Sequence, residues 1–211
     1  MDLITLKNDQ LEIKIATLGA ELQSIKDNTG KEYLWQGQAD IWPRRAPVLF
    51  PIVGRLQHNQ YALGNQVYSM TQHGFARDRE FDVLDKNHQV VTFGLTANQE
   101  TFEVYPFDFV LKICFTLQNK SLLVTYSVQN RSQQVMPFAI GGHPGFAINY
   151  QQDATILKIA NPQIIRQLEF TRDNLINQYH SRSIAARLPL KADSFAHDAW
   201  VLQSQGFNSY S

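Results

Sequence analysis

Phe109-Val110-Leu111-Lys112-Ile113-Cys114-Phe115-Thr116-Leu117, then Gln118-Asn119-Lys120-Ser121, then Leu122-Leu123-Val124-Thr125-Tyr126-Ser127-Val128 is the stretch on which the fold turns. Two runs rich in β-branched and aromatic residues flank a short polar connection, which is the pattern of a hairpin. Antiparallel pairing is therefore expected. The same period of two recurs upstream, where Leu11, Ile13 and Ile15 alternate with Glu12, Lys14 and Ala16 and so place three apolar side chains on one face of a strand. Val90 to Thr96 reads as a further strand, and Thr155 to Ala160 and Ala199 to Leu202 do so more weakly. Asp27-Asn28-Thr29-Gly30 is a turn, and Asn98 to Val104 carries one or two helical turns that Pro106 ends. Nothing resembles a βαβ unit. The expected architecture is all-β, an antiparallel sandwich formed by one domain over residues 1–211, with its site on loops or on one sheet face.

Composition sets limits on function. The 211 residues are 44% hydrophobic and 11% aromatic, enough for one sizeable core. Nineteen basic and nineteen acidic residues cancel, so no global field recruits nucleic acid or an anionic membrane, and charge recognition must be local. The one cysteine, Cys114, excludes a disulfide framework and a cysteine metal site; lying among apolar neighbours, it is expected to be a buried structural thiol. The opening residues lack the basic and apolar regions of a signal peptide, and no stretch reaches the length of a membrane span. A cytoplasmic protein is the expectation.

Three clusters place polar residues among glycines and prolines, where a fixed backbone can deliver side chains to one point. They are Arg44-Arg45-Ala46-Pro47-Val48-Leu49-Phe50-Pro51-Ile52-Val53-Gly54-Arg55, His73-Gly74-Phe75-Ala76-Arg77-Asp78, and Ile140-Gly141-Gly142-His143-Pro144-Gly145-Phe146. Taken singly, each has a bland alternative: a solvated arginine at Arg55, a turn histidine at His73 or His143, a local ion pair between Arg77 and Asp78. Taken as chemistry, imidazoles and a guanidinium beside Trp35, Trp42, Phe75 and Phe146 suit an uncharged polar ligand such as a sugar.

In order, Pro51-Ile52-Val53-Gly54-Arg55, His73-Gly74-Phe75-Ala76-Arg77, Tyr105-Pro106-Phe107-Asp108-Phe109 and Gly141-Gly142-His143-Pro144-Gly145-Phe146 resemble the aldose 1-epimerase family. The likeness is greatest to its bacterial LacX-type branch, and it extends to the opening Ile15-Ala16-Thr17-Leu18-Gly19-Ala20-Glu21-Leu22. What the resemblance implies is a galactose mutarotase-like supersandwich, with neither metal nor organic cofactor, that interconverts the α and β anomers of an aldose such as galactose or glucose. By motif, His143 matches the general acid and His73 the second histidine near the ring oxygen. Arg55 matches the arginine that holds sugar hydroxyls, and Asp198 looks like an aspartate that bonds others. Arg77 stands where it suits the phosphate of a hexose 6-phosphate, the second choice of substrate.

The family's general base is a glutamate on a strand beyond the Asp198 region, and no position here matches it; the last glutamate, Glu169, comes before Asp198. The chain thus resembles a member without its C-terminal strands. Catalysis is in doubt on that count, and a sugar-binding or sensing domain is the alternative to an isomerase. The apolar strand near Trp200, followed by turn chemistry and no return strand, is expected to be covered by another segment or to pair with a second copy of the chain.

Overall fold

The computed structural model describes residues 2–148, 155–159, 165–173, 175–183, 187–191, 193–194 and 199–204. The chain divides into two compact units, Met1–Ala147 and Ile148–Ser211. Among the described residues no helix is long and apolar enough to cross a membrane.

The first unit opens with β1 (Leu3–Lys7), β2 (Leu11–Ala16) and β3 (Leu22–Asp27), a three-stranded antiparallel sheet in that order. The alternation read from Leu11 holds in the middle of the strand, where Ile13 and Ile15 are fully buried while Glu12 and Lys14 are not, but Leu11 is half-buried and Ala16 is buried after the register shift between Lys14 and Ile15. After β4 (Val48–Leu49) come the hairpin β5 (Gln60–Leu63) with β6 (Gln66–Ser69), then β7 (Asp82–Lys86) and β8 (Val90–Thr96). Helix α1 (Gln99–Val104) starts on a capping box, in which Asn98 Oδ1 accepts the Thr101 N–H at 3.0 Å and Thr101 Oγ1 accepts the Asn98 N–H at 2.9 Å. The long strands β9 (Phe109–Gln118) and β10 (Ser121–Asn130) follow, and β11 (Gly141–Gly142) pairs with β4.

The deciding stretch is the hairpin it was expected to be. Gln118 pairs with Ser121 and the register runs unbroken to Phe109 opposite Asn130. Asn119 turns the chain at a φ of 53°, a conformation asparagine tolerates. The sheet order is β10-β9-β8-β7, all antiparallel. Its inner face carries Phe109, Leu111, Ile113, Phe115 and Leu117, with Phe93 of β8 beside Ile113, and these join Phe50, Phe107 and the β2 isoleucines in one core. Each such side chain contributes roughly 1.5–3 kcal/mol of burial.

Cys114 corrects the sequence reading. It was expected in the core, but it is half-buried and faces the other side of the sheet, with its sulfur 3.7 Å from Thr116 Oγ1. The period of two decides this: Ile113 and Phe115 take the inner positions, so the residue between them cannot. An apolar run that includes both faces of a strand hides the distinction in sequence. A thiol reagent should therefore modify Cys114 in the native protein, more slowly than a free thiol but without denaturant. Modification only after unfolding would contradict the placement.

In the second unit, β12 (Ile156–Lys158) pairs antiparallel with β15 (Arg187–Pro189). There β13 (Ile165–Phe170) lies between β14 (Ile176–Ser183) and β16 (Val201–Ser204). The strand expected from Ala199 begins at Val201, and it is not unpaired: Ile165 to Leu168 are hydrogen-bonded along one side of it. Its backbone groups on that side are satisfied by a distant earlier segment, Leu168 opposite Val201 and Ile165 opposite Ser204, beyond what local pattern reveals.

Candidate functional site

The loop between β4 and β5 and the loop after β6 are knitted into each other. The Phe50 N–H donates to the His73 carbonyl at 3.2 Å, and the Phe50 carbonyl accepts from Phe75 and Ala76 at 3.0 and 3.2 Å. Gly74 pairs with Phe50 so closely that a Cβ there would stand 2.2 Å from the Phe50 oxygen, at a φ of 74°. His73 itself takes a φ of 68°. That conformation is uncommon for a residue with a side chain and holds only where neighbours impose it.

Gly54 is the imposing neighbour. The His73 N–H donates to its carbonyl at 2.8 Å, and the Gly54 N–H donates to His73 Nδ1 at 3.0 Å. The second bond fixes the tautomer, because an Nδ1 that accepts cannot carry the proton of a neutral ring. Nε2–H is left as a donor. Burial pushes the His73 imidazole down to about 4, and the charges of nearby Arg77, Arg44 and Arg55 act in the same direction. A proton on Nδ1 would also face the Gly54 N–H. His73 is thus a neutral donor across the physiological range.

His143 lies on the strand-like segment after β11. Its N–H donates to the Pro47 carbonyl at 3.1 Å, and the Gly145 N–H to the Arg45 carbonyl at 2.7 Å. The partner segment is held in turn by Glu21, buried at 8% exposure, whose Oε1 accepts the N–H groups of Arg45 and Ala46 at 2.8 and 2.9 Å. These contacts bring the two imidazoles to 5.6 Å between ring centres, while Trp42 stands 5.1 Å from His143 on another side. His143 is exposed and His73 half-buried.

The arginines differ in their freedom. Arg55 is exposed and reaches Gln72 Oε1 at 3.3 Å. Arg77, on the short turn Ala76–Asp78, donates to the Gln72 carbonyl at 2.7 Å; its buried Nε has no hydrogen-bond acceptor among the described residues and lies 3.7 Å from Asp78 Oδ2. Arg44 bonds the same Asp78 carboxylate at 2.5 Å. Asp198 lies outside the described residues. Of the residues named from sequence, His73 and His143 are ring neighbours, and Arg55 and Arg77 each bond Gln72, one at its side chain and the other at its carbonyl; the sequence reading did not name Gln72, the Gly54 amide or Glu21. Gln72 carried one signal, its place directly before the His73 motif; a backbone amide carries none.

Among the described residues no three His, Cys, Asp or Glu side chains cluster as a metal ion requires. Nearby is a cavity of about 310 Å³ lined by Pro51, Ile52, Tyr61, Tyr105, Phe107 and Phe138 among others. It offers a sugar little, since the Tyr61 and Tyr105 hydroxyls already donate to the Val104 and Pro137 carbonyls.

Residues 2–188 match the family described as aldose 1-epimerase. The chain is 38% identical over 149 residues to the plasmid-encoded protein LacX of Lactococcus lactis subsp. lactis, covering 68% of this chain and 50% of that one. It thus spans about half the length of the curated relatives it matches. Among solved structures it is similar to a galactose mutarotase related enzyme from Lactobacillus acidophilus, at 33% identity and a TM-score of 0.92, covering 97% of this chain and 70% of that one. It is also similar to a galactose mutarotase-like protein from Lactobacillus casei, at 36% identity and a TM-score of 0.85, covering 91% and 68%.

Proposed function

This chain belongs to the aldose 1-epimerase family, and from that premise we propose that its first unit binds an aldose in the α or β form and supplies the acid side of anomer exchange. Opening the ring needs a proton delivered to the ring oxygen and one removed from the anomeric hydroxyl. His143 is the donor, for it is the exposed imidazole of the pair. His73, held neutral with Nε2–H outward, gives a hydrogen bond to the ring oxygen or an adjacent hydroxyl, and Arg55 holds further hydroxyls. The observation that carries this reading is the pairing of the two imidazoles 5.6 Å apart, one fixed as a neutral donor and the other open to solvent.

A free aldose is favoured over a sugar phosphate because Arg77 and Arg44 are both engaged with Asp78, and Arg77 also with the Gln72 carbonyl. Titration calorimetry with galactose, glucose and glucose 6-phosphate tests the substrate class. Binding of none of the three would end the reading, and a strong preference for the phosphate would reverse the order.

The state of His73 has its own test. With its folded value near 4 and an ordinary value near 6.5, the unfolded chain takes up this proton first as the pH drops. Stability from this group is present above pH 6.5 and is lost as the pH falls from about 6.5 to about 4. The ring-proton resonances of His73 should stay at their neutral positions down to about pH 5, and a midpoint near 6.5 would refute the reading of His73 as a neutral donor across the physiological range.

A further inference from the structure

The indole beside His143 has no part in either proton movement, yet several contacts hold it there. The Trp42 N–H donates to the Gln38 carbonyl at 2.8 Å, and the Trp42 carbonyl accepts the Trp35 Nε1–H at 2.8 Å. The Trp35 N–H in turn donates to the Gly145 carbonyl at 2.8 Å. A Cβ on Gly145 would stand 2.9 Å from Trp42 Cζ3 and 2.9 Å from Trp35 Cβ, so only glycine lets this loop close on the His143 segment. The ring is not core: Trp42 is half-buried, outside the cluster that fills the unit, and its neighbour Ile41 is 71% exposed.

Trp42 and His143 meet at 53° between ring planes, so indole and imidazole form two walls of a corner. A pyranose has the matching shape, with C–H groups on its faces and oxygens around its rim. We propose that Trp42 is the aromatic platform of the site, on which the C–H face of an aldopyranose stacks while the anomeric end meets His143. The proposal rests on the aldose reading above. An aromatic ring suits this task because it offers a flat apolar face at small cost in side-chain freedom, and a few polar groups then set the orientation.

The test is titration of galactose into the wild-type chain and into Trp42→Phe and Trp42→Leu, each first checked for an unchanged melting profile. Leu keeps apolar bulk against Gly145 but removes the ring face; Phe keeps a face. Affinity should fall roughly three- to tenfold in W42L and stay within about twofold in W42F. Indole emission gives a reading that a purely structural role would not move. Galactose should shift it in the wild type but not in W42F, although Trp35 and Trp200 remain there and sugar still binds. Equal affinity of W42L and wild type, equal losses in both variants, or an unchanged emission shift in W42F would each overturn the platform. Failure of the wild type to bind any of the aldoses would instead remove the aldose reading beneath it.

Discussion

Freshly dissolved α-galactose should exchange anomers in the presence of this chain only a little faster than in buffer, and formate or acetate should raise the rate. The expectation follows from an imbalance in the site. On the reading proposed above His143 gives a proton to the ring oxygen, and no residue among these 211 matches the glutamate that the family resemblance assigns to removing one from the anomeric hydroxyl. His73 cannot deputise: its Nδ1 is occupied by the Gly54 amide and its Nε2 carries the proton. A positioned proton-transfer group typically contributes 10²–10⁴-fold, so the deficit is of that order. Unpositioned water recovers a small part of it, and a small carboxylate that diffuses into the space recovers more. Exchange NMR or polarimetry gives the rates, with His143→Asn as the control that should abolish the carboxylate effect. Turnover at full family-like speed without added carboxylate would show that another group removes the proton.

How far the sequence foretold this site depends on range. Local pattern located β2, β8, β9, β10 and the helix after Asn98, because side-chain alternation and capping are written within a few residues, but it did not read β3 to β7 as strands. It misplaced Cys114, whose run is apolar on both faces, so that only the pairing of β9 with β8 and β10 settles which side is inner. It named His73 and His143 through their motifs but gave no hint that Gly54 sets the tautomer of one, or that Glu21 steadies the segment supporting the other. Both are contacts between distant residues, one made by a backbone amide that any amino acid but proline would supply. The arginines show the same limit: Arg55 and Arg77 look alike in sequence, and only Asp78 and Gln72 distinguish the reaching one from the tethered one.

Gly74→Ala should be the most damaging single methyl that can be added to the first unit, and it should damage binding along with stability. At a φ of 74° an L side chain is strained, and its Cβ would meet the Phe50 carbonyl oxygen at 2.2 Å and the Pro51 nitrogen at 2.7 Å. These are backbone atoms, so no rotamer change relieves the contact. One of the two loops must move. Phe50 cannot yield easily, because its fully buried ring touches Phe75, Tyr105, Phe109 and Phe138 at the centre of the core. The loop carrying His73 yields instead, which stretches its bonds with Gly54 and Phe50. Backbone strain and overpacking each cost about 1–3 kcal/mol, so a loss on the order of 2–5 kcal/mol is expected. For a chain of this size that lowers the melting temperature by roughly 5–15 °C. Once the loop moves and the His73 ring is less buried, His73 should also titrate closer to its ordinary value, and sugar affinity should fall even well below the melting point. Gly64→Ala serves as the comparison. It too has a positive φ, of 58°, but nothing lies within 4 Å of its Cβ. Only the conformational part of the cost, about 1 kcal/mol, should appear there. If the two variants melt alike, the close approach of Gly74 to Phe50 is not what holds the histidine loop in place.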